Sequence, residues 1–333
     1  MNPGRPDGGR GGPERRPLTR AAEGTSDGPP DTGVGPLPAR RGCRRCRRQG
    51  APYMITFKPM SGSFGVEVFG VQLGSPAAEA RGPELVEALH RHQLLLFSGQ
   101  HLTVEDQLGT TRLFGSPSLP WDPTHAHPDS PFAEVFRESP PRAYRRPAEH
   151  WHSDASFRTE PTDATLLYGV EVPAEGGRTH FNDTRAPLAA LPSALRERVA
   201  GLSAVHDFGR NFSNLRQASR RVTVEDAERE LRDFPPATHP LVRPHPVTGE
   251  PALYLNEMCL DHVEGLGDAE SRALIEELYA HTLRPGWQYV HHWRPGDLLV
   301  WDNPSLLHRG ENVPQGLRRL VHRTTAAYRG GDR

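Results

Sequence analysis

The sequence predicts a mainly β protein with flanking helices, built as a double-sheet jelly roll. Three observations predict it: short apolar runs recur from residue 54 to the C-terminus, turn-forming Gly, Pro and Asn residues separate them, and the few helical periodicities do not alternate regularly with the strands. Regular alternation would instead have indicated parallel β-α-β units. No solenoid-type repeat is present.

The first 52 residues are different material. They combine Gly, Pro and Arg with hardly any aliphatic side chains, so burial cannot offset the entropy of ordering and the segment is expected to be disordered. Cys43 and Cys46 form a single C-x-x-C, a weak zinc signal without a second pair or nearby histidines. A translation start at Met54 would make this stretch a start-site artefact. The folded domain is expected over residues 54–330.

Within it, residues 64–73 alternate like a half-buried strand, residues 82–92 read as a helix, and residues 93–99 as a short buried strand. Thr103 stands where the N-cap of the next helix belongs, and that helix ends near Gly115. Residues 116–131 are Pro-rich and irregular, long enough for a functional loop. Strands follow at 164–172, 178–183 and 203–208, with helices near 187–199 and 224–232. Residues 239–256 read as two strands around a Pro-Val-Thr-Gly turn. A helix over 268–283 precedes closing strands at 287–293, 297–303 and 317–329.

Composition narrows the function classes. Forty basic residues against 41 acidic ones give a net charge of −1, so nothing global argues for nucleic acid or an anionic membrane. Three cysteines make no even framework, which argues against a disulfide-stapled secreted domain and fits a reducing cytoplasm. No window approaches the roughly 18 consecutive apolar residues of a membrane span, and no apolar h-region follows the N-terminal arginines. A cytoplasmic protein acting on a small molecule is expected, with no membrane partner.

The stretch EHWHSDASF pairs His152 with Asp154. In an extended segment residues i and i+2 point to one side, so the pair can offer a metal two ligands. The spacing alone decides nothing, since the chain also holds His127 with Asp129 and His262 with Glu264, about what chance supplies. Those two pairs are read as loop residues without a metal role. His152 and Asp154 stand out because LLVWDNPSLLH runs from a buried strand through a turn to His308, a third ligand on a rigid platform. Two histidines and one carboxylate form the facial triad of non-haem Fe(II) and O₂ chemistry.

Three further residues extend the constellation. Arg319 follows His308 by eleven residues, room for a turn and a return strand, and a buried guanidinium there would grip a carboxylate bidentately. Thr179, after a Gly-Gly turn, could share that carboxylate. Arg323 lies four residues beyond Arg319 and, at period two, on the same face. Trp301 and Asp302 are read as packing and orienting the histidine strand.

The order W-H-x-D, G-G-x-T, W-D-N, distal His, then Arg at plus eleven and plus fifteen resembles the TauD/TfdA family of Fe(II)- and 2-oxoglutarate-dependent dioxygenases. The resemblance covers about residues 60 to 328 and includes the hairpin over 239–256 and the segment RHQLLLFSGQHLT. It implies a cupin-like double-stranded β-helix, Fe(II) held by His152, Asp154 and His308, and 2-oxoglutarate chelating iron with its far carboxylate on Arg319 and Thr179. It further implies O₂ as co-substrate, release of CO₂ and succinate, and hydrogen abstraction from an unactivated C–H bond. Because Asp154 occupies the position a halide would need, hydroxylation or a related oxidation is favoured over halogenation. The arginine matching Arg323 anchors the substrate's acid in some family members; here it either does so or supports Arg319.

For the substrate, the resemblance directs attention to residues 120–127 and 144–151. His125, His127, Arg145, Arg146 and Glu149 there offer mixed charges, and Ala148 departs from the polar pattern of the taurine enzyme. An amino-acid-derived or other metabolite in secondary metabolism is as plausible a substrate as a sulfonate or herbicide-type acid. Family members commonly form dimers or tetramers, so a homo-oligomer is compatible with the resemblance. A zinc-type hydrolase using the same triad with an activated water is the rival enzyme. The rival from another class is a non-enzymatic binder working through the Arg-rich tail.

Overall fold

The computed structural model describes residues 54–120, 125–138, 149–209 and 234–328. The N-terminal segment with Cys43 and Cys46, the helix expected near 224–232, and Arg145, Arg146 and Ala148 lie outside the described residues.

The larger sheet runs in the order β1 (Thr56–Pro59), β2 (Val66–Phe69), β3 (Leu94–Phe97), β15 (Leu298–Asp302), β7 (Ala164–Glu171), β17 (Arg319–Ala327), β6 (Ser130–Glu138) and β5 (Ala126–His127). β4 (Ser116–Pro117) also pairs with β17. A smaller sheet contains β14 (Gln288–His291), β8 (Thr179–Asp183) and β16 (Leu306–Gly310). Leu94, Leu96, Leu299, Trp301 and Val321 from the first sheet pack against Phe181, Tyr289 and Leu306 from the second. Two sheets sharing an inner core in this way make the expected jelly roll, a double-stranded β-helix.

The other face of the large sheet is covered as well. Leu95, Phe97, Leu166, Leu298 and Val300 meet Leu85, Ala88 and Leu89 of helix α2 (Gly82–His92), which follows the short α1 (Pro76–Ala80). A strand buried on both faces needs no polar alternation, which explains the continuous apolar runs of β3 and β15. Helix α3 (Val104–Phe114) begins at the expected cap: Thr103 Oγ1 accepts from the Asp106 amide at 3.1 Å, and Asp106 Oδ2 accepts from the Thr103 amide at 2.9 Å.

A third cluster lies against Leu307 of β16, whose side chain alternates with His308 to the other face of its strand. It draws Leu188 from α4 (Arg185–Ala189), Leu195 and Val199 from α5 (Ser193–Val199), and Leu274 and Leu278 from α6 (Asp268–Thr282). Ala204 of β9 (Ser203–His206) and Leu253 of β12 (Pro251–Leu253) join them. β9 lies between β10 (Ala237–Pro240) and β13 (Leu260–Val263), while β12 pairs with β11 (Val242–Pro244).

Three expectations need correction. The helix expected over 187–199 is two helices, because Pro192 is extended at φ −53° and ψ 143° and its ring disfavours a helical residue before it. The stretch over 116–131 was expected to be irregular, yet it supplies β4, β5 and the start of β6. Pro131 and the acids of β6 hide its strand character. His127 and His262, expected in loops, sit on β5 and β13.

At its C-terminal end β15 delivers Asp302, fully buried. Its Oδ1 accepts from His245 Nε2 at 2.9 Å and from the Tyr328 hydroxyl at 2.6 Å. Its Oδ2 accepts from the Ser305 hydroxyl and lies 3.4 Å from Arg185 Nη2. One carboxylate thereby joins β15, the turn before β16, the β11–β12 hairpin segment, helix α4 and the residue after β17. The expectation that Asp302 orients the histidine strand is met through Ser305, not through contact with the histidine ring.

Candidate active site

His152 and His308 are brought together by main chain. Each amide donates to the other's carbonyl, at 3.0 and 2.8 Å, so the segment carrying His152 adds one bridge to the edge of β16. The imidazoles lie 4.1 Å apart between centroids. Just before them, Trp151 is clamped by Glu257, whose Oε2 accepts from the Trp151 amide and whose amide donates to the Trp151 carbonyl, both at 2.8 Å.

Asp154 completes the group. Its Oδ1 is 3.8 Å from His152 Nε2 and 3.8 Å from His308 Nε2. Two donors each about 2.1 Å from a metal and at a right angle lie about 3 Å apart, so a contraction of under an ångström would close the three around an ion. Among the described residues this is the one His/Cys/Asp/Glu group arranged to hold a metal.

The protonation states suit that role. His152 Nδ1 lies 2.8 Å from the His150 carbonyl, which requires the proton on Nδ1 and leaves the Nε2 lone pair facing Asp154. Burial pushes the His308 imidazole down to about 3 and also lowers that of His152, so both are neutral near pH 7. Burial alone would raise the Asp154 carboxyl. His308 and His152, once they charge in acid, together with Arg323 and a hydrogen bond from Thr165, outweigh burial and hold the carboxyl down to about 2, so it is ionised near pH 7. Neutral imidazoles beside an ionised carboxylate are the ligand-ready forms.

The support around Asp154 was not foreseen. Thr165 Oγ1 donates to its Oδ2 at 2.7 Å, leaving Oδ1 toward the histidines. Asn303 Nδ2 donates to Thr165 at 2.9 Å, while Asn303 Oδ1 accepts from Trp301 Nε1 at 3.0 Å and from the Asp154 amide at 3.3 Å. Trp301 also packs 4.7 Å from the His308 ring, as its expected orienting role requires. The chain on either side of Asp154 hangs on two members of the segment over 239–256. His239 Nε2 is 2.8 Å from the Ser156 carbonyl, and Asn256 Nδ2 donates to the Ser153 carbonyl at 3.0 Å.

Thr179 and Arg319, both buried, meet at Trp293. The indole Nε1 donates to Thr179 Oγ1 at 3.0 Å, and the Arg319 guanidinium lies over the same ring, 5.6 Å from its centroid. With one lone pair of Thr179 taken by the indole, its own proton is left to donate elsewhere. Gly177 permits the approach: its φ is +61°, and a Cβ there would meet Arg319 Cδ at 3.2 Å. The pairing of Phe181 with His308 places Thr179 two residues along the same inner face, about 7 Å away. Trp293 went unnoticed because WQYVHHW reads only as a strand, although Tyr289, His291 and Trp293 share its period-two face.

Arg323 is engaged otherwise. Its Nε and Nη2 donate to the two oxygens of buried Glu134 on β6, at 2.6 and 2.9 Å, and its Nη1 is 3.5 Å from Asp154 Oδ1. A cavity of ≈ 550 Å³ opens beside these groups, lined by Asp154, Ala155, Glu134, Arg323, Phe132 and Leu119 among others. Of the residues expected to face substrate, His125 lies 4.9 Å from the Phe136 ring, His127 4.8 Å from His322, and Glu149 accepts from Asn312 at 3.1 Å.

Residues 56–325 match the family described as taurine catabolism dioxygenase TauD, TfdA family. The chain belongs to the TauD/TfdA family. This TauD/TfdA chain is 30% identical over 285 residues to the alpha-ketoglutarate-dependent 2,4-dichlorophenoxyacetate dioxygenase of Cupriavidus pinatubonensis, covering 81% of the chain and 97% of the relative. It is 32% identical to the alpha-ketoglutarate-dependent sulfate ester dioxygenase of Pseudomonas putida, covering 81% and 88%. Among solved structures, a taurine dioxygenase from Burkholderia xenovorans matches with TM-score 0.67 and 30% identity over 82% of the TauD/TfdA chain and 89% of its own. AAD-2 in complex with Mn(II) and N-oxalylglycine matches with TM-score 0.70 and 27% identity, over 84% and 99%. No helix among the described residues is long and apolar enough to cross a membrane.

Proposed function

We propose that the protein is an Fe(II)- and 2-oxoglutarate-dependent dioxygenase that oxidises a small molecule bound in the cavity beside Asp154. The observation that carries this reading is the convergence of two neutral imidazoles and one ionised carboxylate next to that cavity, in a chain of this family. His152 Nε2, Asp154 Oδ1 and His308 Nε2 would hold the metal on one face and leave its other side open. Arg319 and the Thr179 hydroxyl would bind the far carboxylate of 2-oxoglutarate, a five-carbon diacid comparable in length to the separation of Thr179 from His308. The chemistry that Fe(II), 2-oxoglutarate and O₂ supply when bound is oxidative decarboxylation to succinate and CO₂, coupled to hydroxylation of a substrate C–H bond.

The protein's own part is positional. Thr165 and Asn303 fix which carboxylate oxygen faces the metal, the His150 carbonyl fixes the tautomer of His152, and Trp293 aligns both groups that would bind the co-substrate. The buried inner face keeps bulk water from them. Nothing observed favours the zinc hydrolase, for which a buried Arg319 beside Thr179 would have no use. The scarcity of cysteine supports a reducing, cytoplasmic setting.

Anaerobic titration of the metal-free protein with Fe(II) and 2-oxoglutarate tests this, read by the visible charge-transfer band of a chelated keto acid. A saturating band is expected. Arg319→Ala should weaken 2-oxoglutarate by about fiftyfold, the order expected when one member of a buried charged hydrogen-bonded pair is lost, with Fe(II) binding intact. Iron binding without any band would refute the reading. Trp293→Phe keeps the ring under Arg319 and removes the indole N–H, so the same titration should show about a fivefold loss, the scale of one neutral hydrogen bond.

A further inference from the structure

Arg323 lines the cavity beside Asp154, and its charge is already matched. The side-on edge of its guanidinium, Nε and Nη2, is taken by both oxygens of Glu134, whose side chain is 3% exposed. The remaining Nη1 leans 3.5 Å from Asp154. Phe136 stacks against the guanidinium at 4.9 Å and holds its plane. The rest of the wall repeats the balance, with Arg158 and Glu160 both lining the cavity. Apart from Asp154, whose Oδ1 faces His152 and His308, the charged side chains lining this cavity among the described residues are two cations and two anions: Arg323, Arg158, Glu134 and Glu160.

A simple anion gains little here. Gripped end-on by Arg323, its charge would lie about 4 Å from the guanidinium and, with the two edges about 120° apart, about 7 Å from the Glu134 carboxylate, so a little over half of the attraction is cancelled at any one dielectric. A head group carrying both signs loses nothing, because its cationic part meets the field of Glu134 while its acid meets Nη1. We propose that Glu134 is a specificity-determining residue that makes this a site for a zwitterionic head group and selects against simple anions. The inference rests on the dioxygenase reading above and adds the substrate class to it.

The test uses the full chain loaded anaerobically with Fe(II) and saturating 2-oxoglutarate, which also occupies Arg319. Formation of the charge-transfer band is checked first; its absence in wild type would count against the dioxygenase reading itself. Two small ¹⁹F probes are then titrated by NMR line broadening: trifluoroacetate, a monoanion, and 3-fluoroalanine, a zwitterion. Wild type should bind 3-fluoroalanine more tightly. Glu134→Gln should tighten trifluoroacetate about tenfold by unmasking Arg323, and Glu134→Gln/Arg323→Gln should abolish that gain. Equal or tighter binding of trifluoroacetate by wild type would overturn the proposal, and so would a Glu134→Gln protein whose trifluoroacetate affinity is unchanged or weaker. The wild-type comparison stands even if the variants do not fold.

Discussion

His308→Ala is expected to leave a folded protein that has lost its metal and its activity, the latter by at least about 10³-fold. Loss of a mere supporting contact at a metal site costs about ten- to a hundredfold, and a ligand should cost more. The fold should survive because the bonds joining this residue to His152 are made by main-chain atoms that alanine retains. The deleted imidazole is neutral, so no buried charge loses its counter-charge, and Asp154 keeps Thr165 and Arg323 as partners. The check is paired: Fe(II) binding and succinate release on one side, circular dichroism and thermal melting on the other. A folded variant that releases succinate at the wild-type rate would remove His308 from the site.

Asp302→Asn should have the opposite signature, a large loss of stability. The carboxylate serves His245, Tyr328, Ser305 and Arg185 in a fully buried pocket. An amide there turns a donor toward donors and leaves Arg185 with Glu250, 3.0 Å from its Nη1, as its remaining counter-charge. Removing one partner of a buried charged network costs about 3–5 kcal/mol, a large share of the roughly 5–15 kcal/mol by which a domain is stable. Urea unfolding at neutral pH would measure it, and a cost under about 1 kcal/mol would contradict the account.

The effect also has a pH sign. Burial raises the Asp302 carboxyl, but the hydrogen bond and charge of His245, with the bonds from Ser305 and Tyr328, outweigh burial and leave it below the ordinary carboxylate range. A depressed carboxyl stabilises the fold above its unfolded value, and this contribution fades as pH falls through the folded value. The gap between wild type and Asp302→Asn should therefore narrow in acid.

How much of this was legible depended on whether the cause was local. β3 and β15 could be read because strands covered on both faces are apolar throughout, and the cap at Thr103 because its partner is three residues away. The three residues proposed as metal ligands stood out by type and spacing. β6 stayed hidden because its inward residue at 134 is an acid, which reads as surface until Arg323 is known to face it from 189 residues away. Asn303 stands in the W-D-N run, yet its bond to Thr165 spans 138 residues and leaves no periodic trace. Trp293 shares the period-two face of its strand with His291, but that period cannot reveal that Thr179 and Arg319 converge on it.

The bridge between His152 and His308 bears on how the protein is assembled and reloaded. Where a metal itself gathers its ligands, as in zinc fingers, a chelator unfolds the chain. Here two of the three donors stand on paired peptide groups, so their separation is a sheet spacing inherited from folding and independent of any occupant. Stripping should empty the site without erasing it. Inactivated preparations should thus be restored by reconstitution alone, with no refolding step, and foreign divalent ions should act as reversible competitors for a template that already has its shape.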